Sequence, residues 1–246
     1  MSSLAAPVRD RGITTLTLDA PARRNALSAE LVGELSGALD ACAADTAVRA
    51  VVLTHTGTTF CAGADLTSPA DPQEFVALLR KIVALPKPVV GRVTGHVRAG
   101  GLGLLGACDI AAAGPGASFA LTESRLGLAP AVISLTLLPR LDRSAAARYY
   151  LTGERFDAAE AARISLITLA TEDEVDKALE PVLDGLRRAS PQGLMASKQL
   201  VTATVLESFD QHAEDLVALS TALFASDEAR EGMTAFLERR DPAWVW

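Results

Sequence analysis

The chain has 246 residues, 49% hydrophobic and 22% charged, which suits one large or two small globular domains with a sizeable core. Its formal net charge is −7 and no block of Lys or Arg stands out, which argues against a nucleic-acid partner but leaves a local basic cluster free to receive a phosphorylated ligand. No positive stretch followed by an apolar run opens the chain and no apolar run reaches a membrane span, so neither a signal peptide nor a membrane segment is expected and the cytoplasm is the expected location.

Aromatic residues are only 4% of the chain, so the core must be built from Ala, Val, Leu and Ile. The cysteines, Cys42, Cys61 and Cys108, lie among Ala, Gly and Leu and in no C-x-x-C or Cys/His pattern. They read as reduced, small apolar residues, and no metal site is expected.

Residues 13–18 alternate β-branched and apolar side chains and predict a strand, broken by Pro21 and Asn25. Ser28 then stands where a helix N-cap should be, with Glu30 in the first turn. Leu31, Leu35 and Leu39 follow at spacing four, which predicts a helix to about Ala44. Residues 49–55 read as a second strand, and a strand, a helix and a strand imply a right-handed crossover. Residues 56–69 read as a Gly/Thr/Ser loop and 73–85 as a helix ending before Pro86. Residues 89–93 predict a third strand, 95–106 a turn into a helix, and 109–113 and 118–121 two further short strands.

From Ser134 onward helical patterns dominate, with breaks near Gly153, Pro191 and Asp227. Ala/Leu-rich helices are predicted over 192–206 and 211–225. A boundary near Ser190 divides an α/β core, 1–190, from a helical appendage, 191–246. The appendage is too small to bury its own apolar faces, so it should pack on the core or on another subunit.

Three segments could carry chemistry. The first is Phe60-Cys61-Ala62-Gly63-Ala64-Asp65-Leu66. Its small residues let a ligand touch backbone, and a turn starting near Asp65 would leave the Ala64 N–H a free donor. A tight surface turn explains the segment equally well. The second is Gly95-His96-Val97-Arg98-Ala99-Gly100-Gly101-Leu102-Gly103, where a strand runs through glycines into an apolar helix with an exposed N–H near Gly100. Two such donors converging on one oxygen would form an oxyanion hole, where a single donor is typically worth about 2.7–4 kcal/mol of barrier. The stretch also contains Gly101-x-Gly103-x-x-Gly106, a formal dinucleotide fingerprint. It does not begin directly at the end of the first strand of a βαβ unit, which argues against nicotinamide. The third is Ser118-Phe119-Ala120-Leu121-Thr122-Glu123, before Gly127-Leu128-Ala129-Pro130. Local sequence alone favours a solvated loop glutamate at 123; a buried one would have its pKa raised toward neutrality, as a general base needs.

Together these segments resemble the crotonase (enoyl-CoA hydratase/isomerase) superfamily over most of the chain. The resemblance is carried by Asn25-Ala26-Leu27-Ser28, Cys61-Ala62-Gly63-Ala64-Asp65-Leu66, Ala99-Gly100-Gly101, Cys108-Asp109-Ile110 and Glu123 before Gly127-Leu128-Ala129-Pro130, with Ser197-Lys198 and Glu231-Gly232-Met233 further on. It implies an α/β fold, a spiral of ββα units with a C-terminal helical trimerisation region, and a homotrimer or homohexamer. It implies Glu123, Ala64 and Gly100 as the catalytic set, the last two through their N–H groups. It implies Arg24, Ala26, Ala62, Ala64, Asp65, Leu66 and Gly100 along the coenzyme A moiety, with Arg24 set to meet its phosphates or adenine. Arg24 also reads as a plain surface arginine. Coenzyme A enters as part of the substrate, and no further cofactor is expected.

The sequence departs from the family pattern at Gly103, which stands where typical hydratases carry a second glutamate. Hydration shares its proton transfers naturally between two carboxylates, whereas isomerisation needs one. His96 and Arg98, and Asp71 and Glu74, are the groups that could substitute. His96 also reads as a packed strand-end histidine, and Arg98 as a binder of an acidic acyl group, a surface arginine or a contact to a neighbouring subunit. Asp65 is better explained as a cap on the following turn than as a catalyst, and Asp109 reads as structural. Hydration leads. The alternatives are enoyl-CoA isomerisation, acyl-CoA binding without turnover, and acyl-CoA or ring C–C hydrolysis.

Overall fold

The computed structural model describes residues 2–246. In chain order its elements are β1 (Val8–Asp10), β2 (Ile13–Leu18), α1 (Ala29–Ala44), β3 (Ala50–His55), β4 (Thr59–Cys61), α2 (Pro72–Ala84), β5 (Val89–Val93), β6 (His96–Arg98), α3 (Gly100–Ala107), β7 (Ile110–Ala113) and β8 (Ser118–Ala120). After them come α4 (Ser134–Leu137), α5 (Arg143–Thr152), β9 (Phe156–Asp157), α6 (Ala158–Arg163), β10 (Leu169–Ala170), α7 (Val175–Arg188), α8 (Pro191–Phe224) and α9 (Asp227–Glu238). Short 3-10 turns occupy Pro21–Arg23 and Glu123–Leu126.

Two sheets result. A six-stranded one runs β1-β2-β3-β5-β7-β10 and a four-stranded one β4-β6-β8-β9. Among the described residues, the edge strands β1 and β9 are the ones that pair antiparallel. From β3 the chain repeats one move: a strand to the large sheet, the next to the small sheet, then a helix. β3, β4 and α2 make one turn of this spiral, and β5, β6 and α3 the next. All six residues of β3 are buried, as befits a parallel strand covered on both faces.

The predicted strands over 13–18, 49–55 and 89–93 coincide with β2, β3 and β5 to within one residue. Ser28 caps α1 by accepting from the Leu31 N–H at 3.2 Å. Three expectations fail. The predicted loop 56–69 contains β4, and the glycine stretch after 95 opens with β6. The two helices predicted over 192–206 and 211–225 are one helix of 34 residues. No Gly or Pro stands between those stretches, and Val205 and Phe209, 4% and 2% exposed, belong to the main core.

One face of α8 packs on α2 and α4. It is pinned by Lys198, whose ammonium meets Asp109 Oδ2 at 2.8 Å and donates to the Ile82 and Lys87 carbonyls at 2.8 and 3.0 Å. The other face leaves Leu200 and Val201, 80% and 74% exposed, in the open. Among the described residues no helix is long and apolar enough to cross a membrane.

Candidate active site

β4, β6 and β8 are neighbours and run parallel, so their C-terminal ends reach one edge of the small sheet. In open α/β sheets that edge is where ligands bind. It carries all three segments: residues 62–66 leave β4, Ala99-Gly100 leaves β6 and Glu123 follows β8. The Ala99 N–H donates to the Ala120 carbonyl at 3.1 Å, which ties the second segment to the strand that delivers Glu123.

The first two segments abut. Gly63 has φ +93, and a Cβ there would lie 2.8 Å from the Ala99 Cβ and 3.6 Å from the Gly100 nitrogen. Only glycine meets both demands at once. Ala64 forms a parallel bridge with Leu27, in which Leu27 donates to the Gly63 carbonyl at 2.8 Å and accepts from Asp65 at 3.2 Å. That pattern uses the groups on either side of Ala64 and turns its own N–H away, and among the described residues the Ala64 amide donates to no acceptor. Gly100 opens α3, so its N–H belongs to the unsatisfied first turn. The preceding Ala99 holds φ +47, ψ −122, a strained conformation for a residue with a Cβ, costing on the order of 1–3 kcal/mol.

Glu123 begins the 3-10 turn, which is closed by Gly127 in the left-handed region donating to the Glu123 carbonyl. The residue is 9% exposed, and among the described residues its buried Oε2 has no hydrogen-bond partner. Burial raises its pKa from 4.5 to about 7, so the solvated-loop reading of Glu123 does not hold.

A Cβ at Gly103 would lie 2.4 Å from Ile133 Cγ2 and 3.0 Å from Ile133 Cβ. Ile133, 2% exposed, thus fills the space where a second glutamate would start. Beside it Ser134 Oγ donates to the Pro130 carbonyl at 2.7 Å. The Tyr150 hydroxyl lies 3.2 Å from Ser134 Oγ, and with the serine proton committed to Pro130, Tyr150 is the donor. Burial pushes the Tyr150 phenol up, and the Glu123 charge adds to it. No sequence pattern marks this hydroxyl pair. Its members are 16 residues apart and meet only through the packing of α5.

The remaining predicted residues take definite places. Arg24 is exposed, at φ +53, and its carbonyl accepts from the Ala62 N–H at 3.1 Å. Ala26 is half-buried, and Leu66 is 42% exposed. Asp65 caps its own turn, accepting from the Thr67 N–H and hydroxyl at 2.8 and 2.6 Å and from the Ser68 N–H at 3.2 Å. Those bonds, led by the Thr67 hydroxyl, hold its carboxyl below the usual range. Asp71 caps α2, with Glu74 in its first turn.

His96 and Arg98 both engage Ser118. His96 Nδ1 lies 3.0 Å from its hydroxyl, and Arg98 donates to its carbonyl at 2.6 Å and its hydroxyl at 2.8 Å. Ser118 starts β8, whereas Glu123 follows that strand's end. The two side chains therefore lace β6 to β8 and do not join the carboxylate. Burial, then Arg98 and Arg155, lowers the His96 pKa. Among the described residues no cluster of His, Cys, Asp and Glu is arranged to hold a metal ion. Two cavities of about 330 and 490 Å³, lined by Arg140 and Thr168 and by Glu172 and Lys177 among others, lie away from Glu123.

The family model for enoyl-CoA hydratase/isomerase matches residues 9–245. The chain belongs to the enoyl-CoA hydratase/isomerase family. It is 31% identical to 2,3-dehydroadipyl-CoA hydratase of Escherichia coli (strain K12), over 95% of each chain. Among solved structures it resembles an enoyl-CoA hydratase from Mycobacterium avium, with 56% identity, a TM-score of 0.89 and coverage of 95% of this chain and 94% of that one. It also resembles carnitinyl-CoA hydratase from Mycobacterium avium, with 28% identity, a TM-score of 0.88 and coverage of 99% and 98%. The family's ββα spiral and C-terminal helices are the architecture described above.

Proposed function

We propose that the chain is an enoyl-CoA hydratase that works with one carboxylate. The observation that carries this reading is the shared strand edge, which carries two abutting donor-bearing loops and the turn holding a buried carboxylate with a pKa of about 7. In the proposed reaction the thioester oxygen accepts from the Ala64 and Gly100 N–H groups. The clamp is uncharged, which suits an enolate whose charge is transient. Ionised Glu123 takes a proton from water as its oxygen bonds to C3, and the C2–C3 π electrons move onto the enolate. The same carboxyl then returns the proton to C2. A base with a pKa near the working pH suits both steps. Ala26, Ala62, Leu66 and exposed Arg24 would run along the coenzyme A moiety, which needs no further cofactor beside it. The open Leu200/Val201 face of α8 is where a homotrimer or homohexamer would close.

The enoyl band of crotonyl-CoA tests the reading directly: wild type should erase it and incorporate solvent oxygen at C3. No loss of the band rejects hydration. Ile133 at Gly103 favours one second reading, isomerisation, which would give conjugation from a 3-enoyl-CoA without uptake of solvent oxygen. Release of free coenzyme A would instead identify hydrolysis.

The Gly103 packing gives a further prediction. Gly103→Glu should not speed hydration, and by driving Ile133 aside it should cost about 1–3 kcal/mol of stability. Adding Ile133→Ala makes room and should recover part of that loss. Urea midpoints of the two variants, measured with kcat on crotonyl-CoA, check both statements.

A further inference from the structure

We infer that α9 is a positioning element for Glu123, acting through close backbone packing at Gly127 and Gly232. The inference rests on the catalytic role of Glu123 proposed above and adds a part of the chain that lies more than one hundred residues downstream.

The contact is main chain against main chain. A Cβ at Gly232, inside α9, would lie 2.5 Å from the Leu126 carbonyl carbon and oxygen and 2.7 Å from Leu126 Cα. From the other side, a Cβ at Gly127 would lie 2.6 Å from the Glu228 carbonyl carbon and 2.8 Å from the Ala229 nitrogen. Neither position has room for one methyl group, and no flexible side-chain end is there to yield. The helix thus lies directly on the last residues of the 3-10 turn.

That turn has little slack to absorb a shift. The Gly127 N–H and the Leu128 N–H, the latter at 3.0 Å, both donate to the Glu123 carbonyl. Displacement at Leu126–Gly127 is therefore passed straight to Glu123. The opposite side is already held by the end of α5, where Arg125 Nε donates to the Thr152 carbonyl at 2.8 Å and Ser124 Oγ to the Leu151 carbonyl at 3.4 Å. The turn is gripped between α5 and α9. Of the charged and titratable groups on these elements, Arg125 is turned to Thr152, Glu228 is exposed and meets Gly127 through backbone only, and Tyr150 is the neutral phenol near Glu123.

Gly232→Ala tests this, with Gly185→Ala in α7 as control, because a Cβ at Gly185 meets nothing within 4 Å. Alanine is the better helix former, so any loss at 232 must come from the contact and not from the helix. A misplaced catalytic group can cost on the order of 100-fold, so kcat on crotonyl-CoA should fall roughly 10- to 100-fold with KM within about 3-fold, while the control matches wild type. The ionisation of Glu123 supplies a readout independent of turnover. It is followed as the ¹³C-carboxyl signal that Glu123→Gln removes, and should move from about 7 down toward the ordinary carboxylate range as the turn opens. Should Gly232→Ala fail to fold, Ala229→Val, at a fully buried position of the same contact, should move the ionisation the same way. A folded variant with unchanged ionisation and unchanged kcat overturns the inference. A wild type with no hydratase activity sinks the proposed reaction and leaves the ionisation test standing.

Discussion

Glu123→Gln should abolish turnover while relieving the folded protein of a pH-dependent burden. The variant keeps the shape of the side chain and removes its proton transfer, so kcat should drop about 10²–10⁴-fold. Acyl-CoA binding should persist, because the Ala64 and Gly100 amides and the loop before Leu27 do not use the carboxylate. In wild type kcat/KM should rise with pH through about 7, where Glu123 ionises, and level off above. The stability effect follows from the same shift. The carboxyl has a pKa of 4.5 when unfolded and about 7 when folded. Between those values the unfolded chain has lost the proton and the folded chain still holds it, so stability falls as pH rises. The stabilisation is complete below 4.5 and gone above about 7, a change on the order of 3 kcal/mol at about 1.36 kcal/mol per unit. The buried amide of Gln carries its own cost, but that cost does not vary with pH and cancels from the difference. Urea unfolding of both proteins at the two ends of this window should therefore show wild type losing ground to the variant. Parallel curves would mean that the carboxyl of residue 123 faces water.

The parts of the fold legible in the sequence are those fixed by neighbours in the chain. Ser28 could be read as a cap because its partner, Leu31, is three residues on. β2 could be read from its alternating β-branched and apolar side chains, and β3 and β5 because parallel strands covered on both faces become short apolar runs. β4 and β6 could not. Each has three residues and is held by its neighbours in the small sheet. The continuity of α8 rests on packing: between the two predicted helices Phe209 is an inward-facing core residue.

The site divides in the same way. The family resemblance implied Ala64, Gly100 and Glu123 as one set, and each follows a strand of the small sheet. The state of Glu123 was not legible, because its burial depends on packing around the turn that residues near 123 do not encode. Gly103 told what was missing, and only the structure could tell what had replaced it: Ile133, 30 positions away. His96 and Arg98 show the converse error. Proximity in sequence to Ala99-Gly100 made them candidates, and their side chains reach across to Ser118 on the neighbouring strand.

Lys198→Met should produce the largest loss of stability, about 3–5 kcal/mol, because it strands a buried carboxylate. The side chains of Lys198 and Asp109 are 4% and 10% exposed. The ammonium spends its donors on Asp109, Ile82 and Lys87, and burial pushes its pKa down despite the Asp109 charge. Asp109 Oδ2 also accepts from the Val89 N–H at 2.7 Å, so the pair fastens α8 to the starts of both β5 and β7. Methionine preserves most of the apolar stem and removes the charge, which separates the electrostatic loss from the packing loss. Adding Asp109→Asn retains an acceptor for Val89 and removes the stranded charge, so the double variant should recover a large part of the lost stability. A double variant as unstable as Lys198→Met would shift the cause to the two uncapped carbonyls. Either way the lesion sits where the chain enters β5 and β7, whereas the groups proposed to react follow the ends of β4, β6 and β8. At temperatures where Lys198→Met stays folded, its KM and the pH limb set by Glu123 should therefore match wild type.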